Sequence, residues 1–325
     1  MPTRIGPSLP RPLSSNPTAK REEPAKEASA PAAAAPKLAD GFDAPKSARS
    51  PLRLGDSANP PLAEGDQGRI HYEVREGQLF VNGASFDDIA QGEIGDCYLL
   101  ATLSAIAKTN PEIINNAVRE NADGTCTVRF YERPFFLASR RPVEITVNPE
   151  LPTTASGGPV YGHSRDPDER WVGIVEKAYA QWKGGYEKIG GGGLPSSALE
   201  ALTGKGTQYK LATLYASNSM LHRELEEALA KNKPIVAGSF FLSREPIKDG
   251  IPNFHAYAVI GTSKEGDELF VHLRNPWGAT EPAGDGVDDG IFKMTVSDFK
   301  HRFFAVTVGG MEPEDYPSPE PRESR

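Results

Sequence analysis

The sequence predicts an α+β protein built as two lobes with a cleft between them. Apolar residues recur at helical spacing from Cys97 onward, strand signals take over from about residue 235, and no internal repeat links the two halves. A helix-rich half followed by a strand-rich half marks a fold whose layers segregate rather than alternate.

In chain order, residues 1–68 are dense in Pro, Ala, Ser and mixed charge, with Phe42 their only aromatic. Such a stretch cannot bury enough apolar surface to offset its ordering entropy, so a disordered tail is expected. The globular part covers 69–310. Its first strong helix follows Gly95-Asp96-Cys97, with Leu99, Leu100, Leu103, Ile106 and Ala107 on one face; Asp96 is the expected N-cap and Asn110-Pro111 the stop. A helix over Trp171 to Trp182 turns Ile174, Val175, Ala178 and Tyr179 inward, and another over Ser217 to Lys231 carries Leu221, Leu225, Ala228 and Leu229. Strands are expected at Ile235 to Leu242, His255 to Ile260, Leu269 to Arg274 and Phe303 to Val308. Residues 311–325, rich in Pro and Glu, read as a second tail.

Composition narrows the function. No apolar run approaches the roughly 18 residues of a membrane-spanning helix, so no span is expected. A net charge of −8 offers no basic footprint for a phosphate backbone, which argues against nucleic acid. Cys97 and Cys126 alone make neither a disulfide framework nor a thiolate zinc site, which favours a reducing compartment. Pro2, Pro7, Pro10, Pro12 and Pro17 interrupt the first twenty residues, so the expected location is the cytoplasm, or export without a conventional cleaved signal peptide.

The two cysteines differ. Cys126 alternates with Val128 and Phe130 on one strand face and reads as a small buried hydrophobe. Cys97 opens an amphipathic helix, where unpaired N–H groups and the helix dipole favour a thiolate. A thiolate nucleophile needs an imidazole, and the imidazole a third group to hold its tautomer. His71, His163, His222 and His301 lie in polar surroundings and read as solvated, and His272 takes the less apolar face of its strand. His255 is distinguished by hairpin arithmetic: with a turn centred near Glu265, antiparallel partners sum to about 530, setting His255 opposite Asn275. Asn275 alternates with Leu273 and Val271, where a buried amide wants a hydrogen-bond partner; its competing reading is a turn residue before Pro276.

These residues carry a resemblance. Gln91-Gly92-Glu93-Ile94-Gly95-Asp96-Cys97-Tyr98-Leu99-Leu100, His255-Ala256-Tyr257 and Arg274-Asn275-Pro276-Trp277-Gly278 resemble the active-site segments of the calpain cysteine proteases. Val175-Glu176-Lys177-Ala178-Tyr179-Ala180 with Gly184-Gly185-Tyr186-Glu187, and Asp289-Gly290-Ile291-Phe292 with Asp298-Phe299, are similar as well. The resemblance spans about 80 to 308 and implies a papain-like two-lobed core, with a helical lobe over about 69–205 and an antiparallel β lobe over about 206–310. It implies an endopeptidase taking extended protein substrates, with Cys97 as nucleophile, His255 as base and then acid, and Asn275 orienting the imidazole. Gln91 would join the Cys97 N–H in the oxyanion hole, and Trp277 would cover the His255–Asn275 bond. The chemistry needs no cofactor, and a monomer is the expected form.

Departures accompany the matches. Tyr98 stands where the family usually has Trp, and Phe254 precedes His255 where Gly is common, which would narrow the cleft. Gly190 to Gly193 fall where the family has a substrate-facing loop. Calcium is the implied activator, with Asp88 and Glu176 as candidate ligands. The acidic loop from Glu281 to Gly290, with Asp285, Asp288 and Asp289, lacks an EF-hand pattern and reads as a solvated turn. The alternatives are a silent calpain-like module that binds polypeptide without cutting it, and an acyl transferase using the same Cys–His chemistry.

Overall fold

The computed structural model describes residues 59–135, 139–240, 250–282 and 286–311. The tail residues 1–58, Leu242, Asp285 and residues 312–325 lie outside the described residues.

The first half runs through β1 (Ile70–Val74), β2 (Ile89–Ala90), α1 (Cys97–Thr109), α2 (Glu112–Asn115), β3 (Val118–Glu120), β4 (Cys126–Glu132), β5 (Arg141–Val147), β6 (Glu150–Thr154), β7 (His163–Ser164), α3 (Trp171–Lys183), α4 (Tyr186–Gly190) and α5 (Pro195–Thr203). The second half runs through β8 (Gly206–Leu211), α6 (Asn218–Ala230), β9 (Ile235–Ser239), β10 (Ala256–Glu265), β11 (Glu268–Arg274), β12 (Ile291–Thr295), α7 (Val296–Arg302) and β13 (Phe303–Met311).

The helices form where the apolar spacing predicts them. Leu99, Leu100, Leu103 and Ile106 of α1 are fully buried, and truncating one such leucine to alanine costs about 2–5 kcal/mol. Ser217 caps α6, accepting a hydrogen bond from the Met220 N–H (3.2 Å), and Gly184 ends α3 in the left-handed region with φ 95°. Asp96 occupies the N-cap position of α1, but its side chain caps nothing. The first half also holds a three-stranded sheet, β3-β4-β5, in which Cys126, Val128 and Phe130 are buried, so it is less purely helical than its periodicity implies.

The second half is organised by a six-stranded antiparallel sheet in the order β12-β11-β10-β9-β13-β8. Tyr257, Leu273, Phe299 and Phe303 fill the core on one side of it. Ala256, Ala258 and Val236 belong instead to the core containing α1. Small side chains on β10 let α1 lie close to the sheet, which brings the two lobes together at the start of α1.

Residues 59–68 are not free, although composition groups them with the tail. The Tyr72 hydroxyl donates to the Pro60 carbonyl (2.5 Å), the Tyr186 N–H to the Pro61 carbonyl (2.9 Å) and the Ala63 N–H to the Tyr161 hydroxyl (3.0 Å). Prolines that argue against a helix do not prevent an extended segment from docking by its carbonyls. His222 also departs from expectation: it is buried, with Nε2 3.1 Å from the Ser263 carbonyl.

Candidate active site

A cleft of about 440 Å³ separates the lobes. Cys97, Tyr98, Gly193 and Leu194 line it from the helical side, and Tyr209, Phe254, His255, Ala256 and Phe304 from the sheet. Gly193 is required by packing, since a β-carbon there would lie 2.5 Å from the Tyr98 ring. Tyr98, where the resemblance expects Trp, therefore packs against the glycine run rather than leaving it loose. Phe254 is 66% exposed on left-handed backbone with φ 54°, a conformation that suits glycine and costs a β-carbon-bearing residue about 1–2 kcal/mol.

His255 and Asn275 meet by a route that the simple arithmetic misses. The hairpin loop is tight, Glu265 pairing with Glu268, so partners sum to 533 over Gly261–Glu265. At that register His255 and Asn275 would face opposite sides of the sheet. A bulge between Val259 and Gly261 changes the sum to 532, setting Tyr257 across from Asn275 and His255 diagonal to it, all on one face. The His255 Nε2–H then donates to Asn275 Oδ1 (2.8 Å). The same oxygen accepts from the Trp277 N–H (3.1 Å), and Asn275 Nδ2 donates to the Thr280 carbonyl (2.9 Å), so the amide cannot turn over without losing bonds. Asn275 is fully buried, and its N–H is held by the Gly290 carbonyl (2.8 Å).

The imidazole lies between two aromatic rings, Tyr257 edge-on at 4.9 Å and Trp277 tilted at 4.6 Å. Because Nε2 is engaged with Asn275, Nδ1 is the nitrogen left to take a proton from a thiol. Burial pulls the His255 pKa down to about 4, against the raising effect of the Asn275 bond. The Cys97 thiol is half-buried, and burial pushes its pKa up, opposite to the helix-start expectation. The N–H groups of Ala256, Tyr98 and Cys97 pull it down and the Asp96 charge pushes it up, but desolvation is the largest influence. Both partners of a proton transfer are thus held toward their neutral forms.

Gln91 lies at the same junction. Its N–H donates to the Pro276 carbonyl across the lobes (2.8 Å), while its side-chain Nε2 donates to the Ile94 carbonyl (2.7 Å) and Oε1 is buried with no partner. The donor that an oxyanion hole would use is therefore occupied by a backbone carbonyl.

A family model for calpain family cysteine proteases matches residues 66–289, enclosing Gln91, Cys97, His255 and Asn275. The chain belongs to the calpain family of cysteine proteases. Human calpain-9 is 28% identical over 273 residues, covering 74% of this chain and 39% of that protein. A thiol protease of Porphyromonas gingivalis is 30% identical over 282 residues, covering 74% of this chain and 58% of that protein. Human calpain-8 is 27% identical over 319 residues, covering 86% and 44%. The chain thus spans between 39% and 58% of the length of these relatives.

Within this calpain core the two candidate calcium ligands sit in different acid pairs. Asp88 accepts from the Ser85 N–H (2.7 Å) and Trp171 Nε1 (2.9 Å), and its acidic neighbour is Glu169. Glu176 is buried beside Asp96, with Oε1 accepting from the Gly162 N–H (2.8 Å). Glu169 lies just ahead of α3 and Glu176 about two turns further along the chain, so they are separated along the helix axis and reach different surroundings. Glu169 is the acid that sequence spacing missed. Burial, followed by smaller effects that include the neighbouring Asp88 charge, raises its pKa to about 7, and its Oε2 is buried without a partner. Two adjacent carboxyls with an unpaired oxygen are chemistry that a hard divalent cation satisfies. Among the described residues no group of three or more His, Cys, Asp or Glu side chains gathers as a metal site. Asp288 and Asp289 serve as turn acceptors, for the Thr280 N–H (2.6 Å) and the Ile291 N–H (2.9 Å). No helix among the described residues is long and apolar enough to cross a membrane.

Proposed function

We propose that this chain is a cysteine endopeptidase that hydrolyses internal peptide bonds of proteins lying extended in the cleft. The observation that carries the reading is the buried Nε2–Oδ1 bond of 2.8 Å between His255 and Asn275, in the wall of the cleft that Cys97 shares. In this mechanism Nδ1 of His255 takes the Cys97 proton as Sγ attacks the scissile carbonyl carbon. Negative charge collects on the carbonyl oxygen, facing the Cys97 N–H and the Gln91 amide once that amide leaves Ile94. The imidazolium then protonates the departing amine, and water, deprotonated by the same ring, hydrolyses the thioester and frees the thiol. Trp277 and Tyr257 keep water off the orienting bond, strengthening it.

In this reading Asp88 and Glu169 would hold calcium, whose charge would offset the repulsion between their ionised forms. It takes no part in the bond-breaking steps.

The test is mass mapping after exposure to a peptidyl epoxide, with calcium or with chelator. Selective alkylation of Cys97 over Cys126, with protein cleavage abolished by Cys97→Ala, is the expected result. Cleavage that survives Cys97→Ala overturns the reading. Peptide capture by the wild-type chain without cleavage favours the silent binding module instead.

A further inference from the structure

One buried charge at the junction of the lobes takes no part in the chemistry above. Arg274, at the end of β11, is fully buried, yet its hydrogen bonds go to backbone carbonyls rather than to a carboxylate. Its Nη2 donates to the Asp87 carbonyl (3.0 Å) and the Ile89 carbonyl (2.6 Å), both in the opposite lobe. Nε and Nη1 are buried with no partner. A cation kept in such surroundings adds little to stability, because desolvation offsets what its bonds return. Its value lies in what the bonds locate.

The two carbonyls belong to the segment that continues into Gln91, whose N–H reaches back to the Pro276 carbonyl (2.8 Å). Arg274 and Pro276 flank Asn275. The contacts are therefore successive rungs of one clasp, joining the segment that carries the oxyanion donor to the segment that orients the imidazole. Gly278 supports the same junction: a β-carbon there would lie 3.3 Å from the Ile89 carbonyl that Arg274 grips.

We propose that Arg274 is a positioning residue that sets the docking of the Gln91 segment on the Asn275 segment, so that both halves of the site share one frame. Its catalytic consequence rests on the proteolytic reading above; its structural consequence does not.

The decisive variant is Arg274→Met, which keeps much of the side-chain volume and removes every donor. The variant removes the cost of a buried charge but leaves the Asp87 and Ile89 carbonyls without this donor, so the two effects oppose and the melting temperature should change only modestly. Hydrogen exchange at the Gln91 amide should accelerate while amides in α6 stay protected. The kcat should fall by about tenfold or more with KM little changed, since small misplacements of reacting groups are costly. In Arg274→Gly, added methylguanidinium should restore both Gln91 protection and turnover. Wild-type Gln91 protection in Arg274→Met overturns the proposal, and so does exchange that rises equally across the chain, the mark of a residue that only stabilises. Where the Gln91 response appears but the wild type cleaves nothing, the strut stands and the protease reading falls.

Discussion

The two walls of the cleft are finished to different degrees. On the sheet side the His255 Nε2 and both ends of the Asn275 amide are paired, and aromatic rings close over them. On the helical side the Gln91 amide is spent on Ile94, its oxygen is unpaired, and both Asp96 oxygens are buried with the Glu176 carboxyl as their side-chain neighbour. The sheet wall is therefore organised before substrate arrives, whereas the helical wall has a bond to give up first. Catalysis by fixed dipoles gains most where nothing must reorganise, so the remaining barrier should reside in the Gln91 side.

Breaking the organised wall should have the largest effect. Asn275→Ala frees the imidazole to rotate and leaves its Nε2–H without a partner. Loss of oriented acid–base chemistry typically costs about 10²–10⁴-fold, and kcat/KM should fall within that range. Steady-state kinetics on a protein substrate checks it; an effect below tenfold would mean that packing against Tyr257 and Trp277 alone orients the ring.

Removing Gln91 should cost less. An oxyanion donor is worth about 10²–10³-fold in kcat when it is fully presented, but here its bond to the Ile94 carbonyl must break before it contributes. Gln91→Ala should therefore lose no more than about 10²-fold in kcat, with KM nearly unchanged. A loss as large as that of Asn275→Ala would show that the amide is already free in the working enzyme, and the contrast between the walls would disappear.

The same contrast separates what the sequence made legible from what it did not. Strongly periodic segments such as α1, α3 and α6, and the hairpin that carries His255 and Asn275, can be read locally because their spacing alone determines a face. The register could not: a tighter turn and a bulge at Ile260 shift the pairing, and the bulge restores the parity that the arithmetic had assumed. The carboxylate pairs were out of reach for a related reason. Asp88 and Glu169 lie far apart in the chain, and the helical spacing of the Val175-Glu176-Lys177 motif says nothing about which acid faces Asp88. Asp96 has the chemistry of a cap, but beside Glu176 its oxygens turn away from the first turn of α1. The helix start alone predicts an acidic Cys97 thiol, but burial, a property of the whole fold, outweighs the neighbouring backbone N–H groups.

The smallest effect is on stability, and its sign differs between the walls. The His255 pKa falls from an ordinary 6.5 to about 4, so between those values the unfolded chain binds more protons and stability is lost as pH drops. The shift corresponds to about 3 kcal/mol, fully present above pH 6.5 and gone below about 4. Asp96 runs the other way. Its pKa rises from 3.8 to about 7 by burial, with Glu176 pushed up beside it, so stability is present in acid and lost as pH rises through that window. In the wild type His255 offsets only part of the acid slope, because Asp96, Glu176 and Glu169 are all raised, so the denaturation midpoint should fall as pH rises from 4 to 6.5. His255→Asn leaves the raised acids unopposed, and its midpoint should fall more steeply than the wild type's as pH rises. Asp96→Asn, which still accepts a bond from protonated Glu176, should show a shallower fall than the wild type over the same range. Urea titrations of the three proteins across that window distinguish these slopes. Parallel profiles would mean that the two walls do not differ in charge, and that the contrast between them is one of hydrogen bonding alone.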